Sequence, residues 1–340
     1  MVTLKDVAKK AQVSVSTVSC VLRDAPNVSL KVKKYVRRIM KDLEYVPNNL
    51  ARGMVGSLTQ KIAYFFPGYH DFPWSNNAHI IEGLGQTLQA AEYSLNFVPL
   101  QGDKPLAELH RFYAAARPDA AVFHDVILAA AHLDEVEKNL PCPYIFMNNR
   151  IKHPTMSFVA MDEEGGAQLA TQHLIELGHR RIGILGPLRE GYFGQYRMAG
   201  YRRALTEAGL QKEAADSSLH LNVTWFQSPQ SEVLPIISAA KATEITALFC
   251  LSDVLAAEAL LAAQSLGMRV PEQLSIVGCD DDPFVRFLRP QLTTIASPGV
   301  ELGRLTGRLI LEWIKQRPSV PQHILLPAKL VQRESTKKVG

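Results

Sequence analysis

Apolar residues Leu4, Val7, Ala8 and Ala11 recur at i, i+3, i+4 and i+7, the period of one helical face. Thr3 is placed to cap that helix, and Asp6 falls in its first turn, where the helix dipole favours an anion. After Gln12 and Val13 alone, Ser14 offers a second N-cap, and Val18, Val21 and Leu22 share the inward stripe of a second short helix. A third helix begins after Ser29. There Val32, Tyr35, Val36, Ile39, Met40 and Leu43 keep the helical period, while Lys31, Lys33, Lys34, Arg37, Arg38 and Lys41 take the remaining surface. Three short helices with a two-residue turn between the first two predict a helix-turn-helix.

From Ile62 the pattern changes. Short apolar runs alternate with helical stretches: KIAYFFP, SLNFVPL, DAAVFHD and YIFMNN, then RRIGILGPL, LHLNVTW, ALFCLSD and LSIVGCDD. Such alternation predicts parallel α/β sheets, in two similar consecutive lobes of about 120 residues each.

Charge divides the chain at the same place. Residues 1–60 carry 11 Lys+Arg against 4 Asp+Glu, net +7, whereas the whole chain is +4, which leaves −3 for residues 61–340. A basic end on a mildly acidic body suggests that the end meets a polyanion. The second helix, in VSVSTVSCVL, is a poor helix former and rich in small hydroxylated or β-branched residues. In a helix-turn-helix this helix enters the major groove, where Ser16, Thr17 and Ser19 can bond bases or phosphates, Val15 can touch a thymine methyl, and Cys20 also faces outward.

Other classes are disfavoured. No apolar run approaches the ~20 residues of a membrane span, and the opening MVTLKDVAKK lacks the order of a secretory signal, so a cytoplasmic protein is expected. Cys20, Cys142, Cys250 and Cys279 are far apart and signal neither disulfides nor a zinc site. Gly83 and Gly85 lack the third glycine of a dinucleotide fingerprint, and His173 and His179 read as surface or capping histidines. The acids Asp280, Asp281 and Asp282 have no partnered nucleophile. No metal, cofactor or enzymatic activity is expected.

The stretch TLKDVAKKAQVSVSTVSCVLRDAPNVS resembles the DNA-binding signature of the lactose-repressor and galactose-repressor family, and YVPNNLARGM resembles that family's hinge. The resemblance implies a helix-turn-helix domain over residues 1–46 and a hinge helix and linker over 47–60. Two hinge helices of a homodimer would open the minor groove of a palindromic operator, with Met54 as the wedge. It assigns DNA contact to Thr3, Ser14, Val15, Ser16, Thr17, Ser19, Cys20, Asn27, Ser29, Tyr45, Asn48, Ala51 and Met54. The chain departs from the family where Gln12 replaces a turn glycine and so must take φ > 0, where Cys20 replaces an arginine, and where Gly53 weakens the hinge helix.

The remainder also resembles this family. HLIELGHRRIGILGP, YRMAGY, SIVGCDD, PQLTTI and LPAKLVQREST match the two-lobed periplasmic-binding-protein type I fold of its effector domain, here residues 61–340, which would also dimerise. Ligands of open α/β sheets lie beyond the carboxyl ends of strands. That places Arg197, Asp253 and Asp280 at a cleft, with Asp253 alternatively capping a helix that begins at Val254. His124 and Asn149 would come from the first lobe, and the aromatic Phe72, Trp74 and Trp225 would stack on a sugar or base. The expected protein is a DNA-binding repressor controlled by a sugar or sugar derivative. The alternatives are a cytoplasmic ligand-binding protein or a sugar-acting enzyme on the same fold.

Overall fold

The computed structural model describes residues 3–22, 25, 27–43, 45, 58–68, 74–100, 105–126, 128–188, 191–223, 230–241 and 243–339. Its contacts divide the chain into two compact units, Met1–Gln60 and Lys61–Gly340.

The first unit is built on α1 (Leu4–Ala11), α2 (Val15–Leu22) and α3 (Leu30–Asp42). Thr3 and Asp6 form a capping box: Thr3 Oγ1 accepts from the Asp6 amide, and the Asp6 carboxylate accepts from the Thr3 amide at 2.8 Å. Gln12 ends α1 in the left-handed region, at φ 55°, as the tight turn demands of a residue there. Val7, Ala8, Ala11, Val18, Val21, Val36, Ile39 and Met40 close the core. One assignment is corrected: Tyr35 does not point inward but is 40% exposed, with the Arg38 guanidinium 5.6 Å over its ring. Lys33, read as surface, is buried instead.

The second unit contains two six-stranded sheets. The first has the order β11-β5-β4-β3-β1-β2, formed by β1 (Lys61–Pro67), β2 (Ser94–Leu100), β3 (Ala120–His124), β4 (Tyr144–Met147), β5 (Phe158–Met161) and β11 (His323–Leu326). All its pairings are parallel. Side chains alternate between its two faces. Phe65, Phe123 and Phe146 pack under α5 (Pro105–Ala116) and α6 (Ala130–Asn139), while Ile62, Tyr64, Val122 and Ile145 pack under α4 (Trp74–Ala90) and α12 (Gly299–Lys315). Burial on both faces explains the unbroken apolar runs that mark these strands in the sequence.

The second sheet has the order β12-β10-β9-β8-β6-β7, formed by β6 (Ile182–Gly186), β7 (His220–Asn222), β8 (Ala247–Cys250), β9 (Ser275–Asp280), β10 (Thr293–Ala296) and β12 (Lys329–Val331), the last antiparallel. It lies between α7 (Glu163–Glu176) with α8 (Gly191–Glu207) and α10 (Gln230–Lys241) with α11 (Asp253–Ser265). A short α9 (Gln211–Ala215) follows α8.

The lobes are not the consecutive blocks that the alternation suggests. The chain leaves the first lobe after β5, builds the second, returns through α12 and β11, and ends on β12. Three crossovers therefore join the lobes. β5, FVAM, is not among the apolar runs read from the sequence.

α4 and α12 approach closely because both carry glycines: a Cβ at Gly303 would collide with the Ile80 carbonyl, and one at Gly83 with the Val300 carbonyl. Gly83 thus serves helix packing. Gly303→Ala is expected to destabilise this unit by about 1–3 kcal/mol, since a backbone carbonyl cannot yield as a side chain can. Thermal unfolding checks this, and an unchanged midpoint would contradict the packing role.

Candidate functional site

In the first unit, the amino end of α2 displays hydroxyls. Ser14 Oγ accepts from the Thr17 amide at 3.0 Å and lies 2.6 Å from Ser16 Oγ and 2.8 Å from Thr17 Oγ1. Val15 and Ser16 are exposed, Thr17, Ser19 and Cys20 partly so, while Val18 and Val21 anchor the opposite face. Lys31, Lys34, Arg37, Arg38 and Lys41 are exposed along α3. Thr3 and Ser29 cap helices, Asn27 is exposed, and Tyr45 is half-buried against the core. Asn48, Ala51 and Met54, with the hinge helix, lie outside the described residues.

In the second unit, the carboxyl ends of both sheets gather charge. Arg197, 4% exposed on α8, donates from Nε to Glu163 Oε2 at 2.6 Å, from Nη1 to the Leu251 carbonyl, and sits with Nη2 3.7 Å from Asp280 Oδ1. Phe193 lies beside the guanidinium, 5.6 Å from ring centre to Cζ. Asp280 ends β9 with φ +123°, outside the ordinary range for an L-residue, and burial pushes its carboxyl well up against the pull of Arg197.

Asp253 does not cap a helix. Ser252 does, through the Leu255 amide at 3.1 Å, and α11 starts at Asp253 itself. The Asp253 carboxylate is fully buried and holds the Thr294 hydroxyl at 2.5 Å and the Asp282 amide at 2.8 Å, bracing the ends of β9 and β10. Burial outweighs those two bonds and pushes its pKa up to about 7. Asp281 is held by Arg333 at 2.5 Å.

From the first lobe come His124 and Asn149. His124 is fully buried, its Nδ1 bonded to the Tyr64 hydroxyl, and burial drives its pKa down to about 3, so it is neutral. The Asn149 amide donates to the Val126 carbonyl at 2.9 Å. Phe72 and Trp225 lie outside the described residues, as does the side chain of Trp74 beyond its place in α4. His173 and His179, read as surface or capping, are instead buried against the C-terminal segment, where His173 meets Thr336 at 3.0 Å and His179 meets the Lys337 carbonyl at 3.1 Å. Among the described residues, no group of three or more His, Cys, Asp or Glu is placed to hold a metal ion.

Asp125, Glu163, Asn77 and Asn148 were not singled out in the sequence. Asp125 follows β3 and was legible by the strand-end rule that found Asp280. Glu163 stands just past the unread β5. Asp125 accepts from Asn148 Nδ2 at 2.9 Å and Asn77 Nδ2 at 3.3 Å, and the charges of Glu163 and Arg197 bear on it. Burial outweighs the two amides and pushes its pKa up to about 7.

A carboxyl raised in the folded state keeps a proton that the unfolded chain has lost, so its contribution to stability falls as pH rises from about 4 to about 7. Asp125→Asn is therefore expected to gain stability over the parent on going from pH 5 to pH 8, by about 2–3 kcal/mol. Paired thermal melts at the two pH values test this. A constant difference would contradict the burial of an ionisable Asp125.

Residues 3–48 match the model of bacterial regulatory proteins, lacI family, and residues 171–336 that of a periplasmic binding protein-like domain. The ribose operon repressor of Haemophilus influenzae is 31% identical over 98% of each chain. The chain belongs to the lacI family of bacterial regulatory proteins. The HTH-type transcriptional repressor PurR of Aliivibrio salmonicida is 30% identical over the full length of both. Among solved structures, the lac repressor dimer bound to operator and the anti-inducer ONPF has 25% identity and a TM-score of 0.81 over 99% of both chains. The complex of the transcriptional regulator CelR with cellobiose has 26% identity and a TM-score of 0.72 over 98% of this chain and 100% of that one. This lacI-family chain is a DNA-binding transcriptional regulator rather than an enzyme, with an N-terminal helix-turn-helix and a two-lobed body of parallel sheets. No described helix is long and apolar enough to cross a membrane.

Proposed function

We propose that the chain is a cytoplasmic, homodimeric repressor that binds a palindromic operator and is controlled by a sugar or sugar derivative held between its lobes. The observation that carries this reading is the pairing of two surfaces: the exposed hydroxyls at the amino end of α2, and the buried Arg197 and Asp280 at the strand ends. A dimer follows from economy, since one small module reads few base pairs. Relatives named as a ribose operon repressor, a regulator bound to cellobiose and a repressor dimer on its operator support each part.

In this reading residues 1–46 read the major groove, 47–60 form the hinge, and 61–340 bind effector and dimerise. Thr3, Asn27, Ser29 and Tyr45 contact the operator from the helix-turn-helix, and Asn48 and Ala51 contact it from the hinge. Arg197 and Asp280 take effector hydroxyls, with His124, Asn149 and the aromatics Phe72, Trp74 and Trp225 around them. Asp253 holds the Asp280 turn in place. Effector acts by preferring one angle between the lobes, which the three crossovers permit to change, and so biases the spacing of the hinges.

Met54→Ala tests the hinge. A gel-shift and bending assay is expected to show a smaller bend and a loss of specific affinity of roughly tenfold, with nonspecific binding nearly unchanged. Equal losses on both kinds of DNA would remove the wedge from the account.

A further inference from the structure

The effector reading leaves two acceptors in the first lobe unexplained. Asn77 is fully buried near the start of α4, and its Nδ2 donates to Asp125 Oδ2. A carboxylate accepts only from N–H, which fixes the amide's orientation and leaves Asn77 Oδ1 with no hydrogen-bond donor. Asp125, beside it, is 9% exposed, and among the described residues its side-chain donors are the neutral amides of Asn77 and Asn148.

The groups that face Asp125 do not neutralise it. His124 Nε2 is 3.5 Å away, but that imidazole is uncharged and its Nδ1 is held by Tyr64 from β1. Across from it, Arg197 already serves Glu163, Asp280 and the Leu251 carbonyl, and Glu163 adds a like charge. The site therefore offers two adjoining acceptors, one of them a carboxyl that can ionise.

Resting on the effector reading above, we propose that the effector carries a protonated amine, and that this group seats between the Asp125 carboxylate and Asn77 Oδ1. A hydroxyl has one hydrogen to donate and satisfies one of the two acceptors. An ammonium has three, and its charge favours the ionised form of Asp125. A phosphate or carboxylate at this position is repelled by Asp125 and Glu163. The effector is thus an aminated polyol, such as an aminodeoxy sugar, rather than a sugar phosphate.

The test is calorimetric titration of the full chain at pH 7 with glucosamine, galactosamine and mannosamine, each against its parent hexose, its N-acetyl form and its 6-phosphate. One amine is expected to bind at least ~10-fold tighter than its three counterparts. That preference should fall below about twofold in Asp125→Asn, and also in Asn77→Leu if the first variant folds poorly. Equal binding of amine and parent, tightest binding of a phosphate, or a preference that survives both substitutions overturns the amine while leaving the sugar cleft intact. Failure of every compound to bind a chain that still binds its operator overturns both the amine and the sugar reading.

Discussion

Ser16→Glu is expected to abolish sequence-specific operator binding, lowering affinity by roughly 100-fold or more, close to 3 kcal/mol. Ser16 is exposed at the amino end of α2, with its hydroxyl 2.6 Å from that of Ser14, so it stands where a recognition helix meets base edges. A glutamate there is both longer than the close approach allows and repelled by phosphates. The same change does not harm the fold, because an acid in the first turn of a helix interacts favourably with its dipole. Circular dichroism should therefore be unaltered while the gel shift is lost. Unchanged operator affinity would show that another surface reads the DNA.

The second large effect belongs to the effector unit. Arg197→Met leaves Glu163, 2% exposed, without the guanidinium that holds it at 2.6 Å, and it also strips the counter-charge from Asp280. Breaking a buried pair by removing one partner costs about 3–5 kcal/mol, and the unfolding midpoint of a unit this size should fall by about 10 °C. Removing Glu163 as well, in Arg197→Met with Glu163→Leu, should recover more than half of the loss, because the uncompensated charge goes with it. A single variant as stable as the parent would show that Arg197 is not held as described. Scanning calorimetry of the full chain separates the two.

Much of this was legible from residue order. The capping box at Thr3, the forced left-handed Gln12 and the inward Val18 and Val21 follow from local rules that act within one turn of helix. Strands such as KIAYFFP announce themselves because both faces are buried, and Asp280 because it ends one. Non-local facts were hidden. That α12 and β11 return to the first lobe depends on pairings between residues 323–326 and 158–161, which no period in either segment encodes. Glu163 meets Arg197 because α7 packs against α8 on one face of the second sheet, a tertiary contact that neither residue alone reveals. Tyr35 stays outside because Val36, Ile39 and Met40 fill the small core from α3 without it, and its ring takes Arg38 at the surface.

The most direct measurement is selection of bound duplexes from a random pool by the full chain at fixed salt, followed by titration of the selected complex with sugars and aminated sugars. Salt must be fixed because phosphate contacts make affinity steeply dependent on it. The expected result is a palindrome with a flexible pyrimidine-purine step at its centre, whose occupancy changes when one of these compounds is added. Selection of no sequence, or of a palindrome indifferent to every compound in both directions, would contradict a repressor controlled through the cleft of Arg197 and Asp280.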